Sequence, residues 1–222
     1  MVWTRPSIPL HPRLSDVTGD DLAEQSWFRG YPAPDITPTE FEQWVAEVFE
    51  SAAPGLEGLR VSLHEAVRGT DGSYDFDATV RYRWAGMEFL VLAEAKAHKS
   101  PIKRQLVQVL HSKVQSVGAH KGVMISTAPF QRGALEFAKS HGIALVSVTE
   151  GRFTYEARGA GPVPAISREE ALRQFDLPVF VGHSYAIGET PSSTERTLIS
   201  TLDPEPIRDL LLALPRDAIP ES

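Results

Sequence analysis

A carboxylate and an amine two residues apart, at the end of an apolar strand, are groups that could act on a phosphate. In Phe89-Leu90-Val91-Leu92-Ala93-Glu94-Ala95-Lys96 the apolar run reads as a strand buried on both faces, where Glu94 and Lys96 are costly unless something pairs with them. Alternation puts Leu90, Leu92, Glu94 and Lys96 on one face and Phe89, Val91, Ala93 and Ala95 on the other. Ser73 to Trp84 reads as the partner strand, joined through Ala85-Gly86. If those two residues are the whole turn, Trp84 pairs with Met87 and counting back sets Glu94 opposite Asp77. Opposed Cβ atoms lie roughly 4.5–5.5 Å apart. Two carboxylates at that spacing can share one cation and repel each other without it. Oxygen ligands plus waters suit Mg²⁺, with Mn²⁺ as a substitute, better than Zn²⁺, which favours His and Cys. Lys96 would then stand beside a metal-bound water and a phosphate, offsetting developing negative charge. A longer turn would shift the pairing, and Asp75, on the same face and opposite Lys96 in this register, is then the fallback carboxylate; a bare Glu-x-Lys is also what an ordinary ion pair at a sheet rim looks like.

Stepping outward, the elements that must hold these residues are legible. Thr37-Pro38-Thr39-Glu40 opens a helix with Thr37 as N-cap and Glu40 closing a capping box, and Phe41, Val45, Val48 and Phe49 form its apolar stripe. "LRVSLHEAV" reads as a strand before the turn-rich "RGTDGS". After Lys96 a helix is expected with Ser100 as cap and Pro101 at its start, burying Ile102, Leu106, Val109, Leu110, Val114 and Val117 and turning Arg104, Gln108, His111 and Gln115 outward. "KGVMIST" and "IALVSV" read as buried strands around the helix "FQRGALEFAKSHG", which Gly142 closes. The order helix, three strands, helix, strand, helix, strand implies an α/β fold, a mixed central sheet flanked by helices. Residues 1–36, proline-rich and aperiodic, are expected to be an irregular arm, 37–158 the catalytic domain, and 159–222 a small C-terminal extension for docking or dimerisation. Within that extension a short helix from Ser167, a strand around "PVFVGHSYAI" and a last helix with Asp203 as cap and Pro204 next are expected, with a hairpin strand at 153–157 before it.

Composition narrows the function. The chain has 222 residues, 42% of them hydrophobic, and no cysteine, so disulfides, thiolate metal sites and cysteine nucleophiles are excluded. No apolar run reaches a membrane span or resembles a secretory leader, so a cytoplasmic protein is expected. Net charge is -7, yet the stretch from Lys96 to Arg132 holds seven basic residues and no acid, against 15 basic and 29 acidic elsewhere. That segment is either a solvated helix face or a surface for a polyanion. No HExxH and no phosphate-loop pattern occurs, so His98, His111 and His120 are expected on the surface and not at a metal. Trp3, Trp27 and Trp44 are expected to pack against the body, Phe130 and Phe137 to be core helix residues, and Ser126-Thr127 to be a structural strand end.

"DFD" followed 17 residues after Asp77 by "EAK" resembles the signature of the PD-(D/E)xK nuclease superfamily. In order, "FEQWVAEVF", "GTDGSYDFDATV", "FLVLAEAKAHKSPIKRQLVQVL" and "SVGAHKGVMISTAPFQRGALEFAKSHGIALV" resemble its Mrr-like restriction endonuclease branch over about residues 38–150. Many members of that branch have Gln where this chain has Glu94. The resemblance implies a restriction-endonuclease-like αβββαβαβ core and divalent-metal cleavage of DNA by water attack. It implies that Asp77 and Glu94 bind metal and that Lys96 is the catalytic lysine. Glu42 matches a first-helix carboxylate that approaches the metal in related nucleases, or is a surface carboxylate. Gln108 matches a helix position that can face the phosphate, or is solvated. Lys99, Lys103 and Arg104 would grip the DNA backbone. The expected function is thus a metal-dependent endodeoxyribonuclease in restriction of foreign DNA, with DNA and a divalent metal as partners and a homodimer to cut both strands. The alternatives are a silent nuclease-like module that binds DNA or protein, and a nuclease for branched DNA or RNA.

Overall fold

The computed structural model describes residues 34–150, 178–187 and 194–213. Its contacts separate residues 1–32 from 33–222, and the described residues belong to the second unit. Residues 1–33 of the arm expected over 1–36, with Trp3 and Trp27, the hairpin strand at 153–157 and the helix expected from Ser167 lie outside the described residues.

The chain runs α1 (Pro38–Ser51), β1 (Glu57–Arg68), β2 (Ser73–Trp84), β3 (Met87–Lys96), α2 (Arg104–Val117), β4 (Lys121–Ser126), α3 (Arg132–Ser140), β5 (Ala144–Glu150), β6 (Phe180–Ile187), β7 (Thr194–Ile199) and α4 (Glu205–Leu212). All seven strands form one sheet in chain order. β1, β2 and β3 are antiparallel, β3, β4 and β5 parallel, and β6 and β7 antiparallel again. This is the mixed α/β sheet the sequence implies, in the order αβββαβαβ. The described part of 159–222 extends that sheet by two strands, of which β7 is not foreshadowed by periodicity, and returns α4 onto it with Pro204, not Asp203, at the N-cap.

Two apolar layers sandwich the sheet. α1 and α4 cover one face with Phe41, Trp44, Val45, Val48, Phe49, Ile207 and Leu211 over Ala78, Val80, Val91, Ala93, Val123 and Val146. α2 and α3 cover the other, packing Val107, Leu110, Val114, Ala134 and Phe137 on Phe76, Leu92, Met124 and Leu145. The α1 capping box forms, with Thr37 N–H donating to Glu40 Oε2 at 2.9 Å and Glu40 N–H to Thr37 Oγ1 at 3.3 Å. Trp44 is core, its indole N–H donating to the Phe180 carbonyl at 3.1 Å. No described helix is long and apolar enough to cross a membrane.

α2 differs from expectation at its start. Lys103, not Ser100, is its N-cap, and Ile102 lies before it in extended chain. Ile102 N–H donates to the Pro129 carbonyl and its own carbonyl accepts from Gln131, a parallel bridge that holds the chain straight until Lys103. That delay rotates the helix, so Val107 is buried and Val109 is exposed. Phe130, expected in a helix, is the partner of this bridge and precedes α3.

Candidate active site

The site is built by one hairpin and one helix. Ala85 and Gly86 take φ 51° and 78°, as a two-residue turn of type I′ requires, and Gly does so without cost. Trp84 therefore pairs with Met87, and the ladder continues to Ala78–Ala93. There it stops. Asp77 does not form the next pair, because its carboxylate turns to accept the main-chain N–H of Ala95 at 2.6 Å. The strands part at this point, and β3 goes on pairing only with β4, as far as Lys96–Ser126.

The change at Asp77 also involves β1. The β1–β2 register runs through Leu63–Ala78 and resumes at Glu65–Phe76, skipping His64 and Asp77. His64 has φ 52°, a left-handed conformation unusual for a residue with a Cβ. On either side of the skipped pair the side chains change layer: Ala78 faces α1, whereas Phe76 faces α2. Strict alternation would put both on one face.

Glu94 is 7% exposed and lies on the α2 face. Its Oε2 accepts from Lys96 Nζ at 2.6 Å and its Oε1 from Lys113 Nζ at 2.5 Å. Lys96 Nζ also lies 3.9 Å from Asp77 Oδ2, so one ammonium sits between both carboxylates. Burial pushes the Glu94 carboxyl up, but the hydrogen bonds and charges of Lys113 and Lys96 outweigh it and hold the group below the usual carboxylate range. A cation with oxygen ligands would draw on the carboxylates of Asp77 and Glu94. Among the described residues no three His, Asp or Glu side chains converge closely enough to hold a metal, so any ion here would rely on two carboxylates and water. That donor set fits Mg²⁺, which keeps several of its waters, and does not suit Zn²⁺.

A family model described as "Restriction endonuclease", for the Mrr catalytic domain, matches residues 34–158. The chain belongs to the Mrr-like restriction endonuclease family. The match takes in α1 through β5, with every residue of the cluster just described. No curated protein matches the chain. Among solved structures it is similar to AF1548, a protein of unknown function, at 19% identity and a TM-score of 0.39, covering 47% of this chain and 56% of that one. It is also similar to AspBHI, a DNA modification-dependent restriction endonuclease, at 19% identity and a TM-score of 0.30, covering 64% of this chain and 37% of that one. The chain thus spans little more than half of the first and about a third of the second.

Measured against this Mrr-like frame, the structure brings Asp77, Glu94 and Lys96 together and leaves other sequence candidates apart. Asp75 is exposed and pairs with Ala66 on β1. Glu42 reaches His64 Nε2 at 3.1 Å, on the strand beside Asp77, and makes no direct contact with the cluster. The Gln108 side chain makes no hydrogen bond, while its carbonyl accepts from the Ser112 hydroxyl. Lys99, Lys103 and Arg104 are exposed on the approach to α2, with the Arg104 guanidinium 5.2 Å from the Phe137 ring centre. His111 is not on the open face expected for it but packs on Phe137 and His141. His98 is tied through its main chain to Thr127, and the His120 ring nitrogen accepts from Leu90 N–H. Ser126 Oγ accepts from Ala128 N–H, a structural strand end.

Two residues at or beside the site escape a reading of the sequence. Lys113 is one of the seven basic residues of the Lys96–Arg132 segment, and nothing local marks it as the one that meets Glu94. His64 would follow from a register count across "RGTDGS", but a four-residue loop does not fix register as Ala-Gly does.

Proposed function

We propose that this protein is a divalent-metal-dependent endonuclease that hydrolyses DNA phosphodiester bonds in the restriction of foreign DNA. The observation that carries this is the convergence of Asp77 and Glu94 on Lys96, on two strands that part at that point, within the matched domain. Asp77 and Glu94 would hold Mg²⁺, or Mn²⁺ in its place. The metal, when bound, would lower the pKa of a water and polarise the phosphate. Lys96 would hold the attacking water through its ammonium and offset charge on the phosphorane as the P–O bond to the leaving oxygen breaks. Asp77 is kept in place by Ala95 N–H, which donates to its Oδ2. Glu42, through His64, would line the Asp77 side, and Gln108 the phosphate side. Lys99, Lys103 and Arg104 would track the DNA backbone, acting in the cytoplasm, with two copies cutting two strands.

One observation favours a second reading. Two carboxylates and two ammoniums already neutralise each other, as they would in a nuclease-like scaffold that binds DNA or protein without cutting. Nicking of supercoiled plasmid in Mg²⁺, in Mn²⁺ and in chelator separates the two, with Lys96→Ala and Glu94→Ala beside the natural protein. The expected result is metal-dependent nicking lost in both variants, by at least about a hundredfold. Folded protein that nicks no duplex, branched or modified DNA in either metal would hand the site to the scaffold reading.

A further inference from the structure

Glu94 has more cation around it than neutralisation requires. Each of its oxygens is taken by a different ammonium, yet the nuclease reading gives a task to Lys96 and none to Lys113. Lys113 is not a surface lysine that has swung in. Its neighbours Leu110 and Val114 anchor α2 in the core, and its ammonium lies 5.3 Å from the Phe76 ring centre. One turn on, Ser116 bonds Asp71 through its hydroxyl and accepts from Thr70 N–H through its carbonyl, locking this end of the helix to the β1–β2 loop. The side chain is 22% exposed, against 9% for that of Glu94, so the amine comes from the solvent side of a buried carboxylate.

Charge decides what this arrangement can do. Asp77 and Glu94 balance Lys96 and Lys113, and the cluster is neutral without a metal. A divalent cation at the same carboxylates adds two positive charges, and an ammonium on Glu94 must then give way. Lys96 touches both acids; Lys113 touches only Glu94. We propose that Lys113 is a positioning residue, a placeholder that keeps the buried Glu94 carboxylate aimed at the cation position and releases Oε1 when a divalent ion arrives. This rests on the nuclease reading for the ion and on geometry for the lysine.

The test is thermal unfolding of the natural protein and Lys113→Met, which keeps the stem over Phe76, in chelator and in saturating Mn²⁺. In chelator the variant should melt roughly 4 °C lower. In Mn²⁺ most of that gap should close, because the ion replaces the missing charge, so the metal-induced rise is larger in the variant. An equal gap in both conditions would make Lys113 a structural ion-pair partner only and overturn the proposal while leaving the nuclease reading standing. No metal-induced rise in either protein would overturn both. If Lys113→Met does not fold, the double variant Lys113→Met, Glu94→Gln in chelator replaces it. Recovery of a cooperative melt shows that the unpaired carboxylate was the cause, and failure to recover places the loss in packing and sinks the proposal.

Discussion

Lys121 begins β4 as a lysine only 8% exposed, its ammonium donating to the Ala213 carbonyl at 2.7 Å beyond the end of α4. Burial draws its pKa down to about 8. The unfolded chain holds that proton up to about 10.5 and the folded one only to about 8, so between these values the unfolded state binds more protons and stability rises with pH. Tyr82, which donates to the Leu211 carbonyl of the same helix, is pushed up to about 12 by burial and keeps its proton throughout that window. Urea midpoints at pH 7.5 and 9.5 should therefore show a gain of ~2 kcal/mol in the natural protein relative to Lys121→Met. No difference between the two slopes would mean that the amine is not desolvated. Residues differ in how far the sequence reveals them. Glu94 and Lys96 stand out because charge is anomalous at the end of an apolar strand, and Asp77 follows from a two-residue turn. Lys121 looks like part of a basic surface, and nothing local says that a helix end some ninety residues later will cover it.

Elements are legible where capping, turn chemistry and periodicity agree, as in α1 and the β2–β3 hairpin. They are misplaced where a distant segment competes, as when Phe130 keeps Ile102 extended and delays α2. That phase matters because α2 delivers Lys113, and its depth against the sheet is set by Gly122. A Cβ there would come within 2.8 Å of both Val114 Cγ2 and Ile143 Cδ1, so the helix rests directly on the β4 backbone. Gly122→Ala should cost ~1–3 kcal/mol by overpacking. Chemical denaturation measures the loss. If instead the variant is as stable as the natural protein, α2 has room to retreat and its hold on Lys113 is looser than its packing suggests.

For the molecule as a whole, the seven basic residues of 96–132 do not form a single surface. Lys96 and Lys113 are bound to Glu94, Lys121 is buried, and Arg132 pairs with Glu136, leaving Lys99, Lys103 and Arg104 on the approach to α2. Nor does the family match mark the limits of what folds. Trp44, Tyr82 and Lys121 take their hydrogen-bond partners from Phe180, Leu211 and Ala213, and Val181, Ile199, Ile207 and Leu211 complete the core. A fragment of residues 34–158 should lose cooperative unfolding, because three buried polar groups are left unpaired and the α1 layer loses its cover. A sharp calorimetric transition in that fragment would show that the α1 face closes without the C-terminal strands.

The sheet is laid down in chain order from one edge to the other. As a growing chain leaves the ribosome, Asp77, Glu94, Lys96 and Lys113 are therefore made before any of the residues from Phe180 to Leu211 that seal the opposite face. The chemistry is assembled early, on a sheet whose α1 face still waits for Ile207, Leu210 and Leu211 of α4.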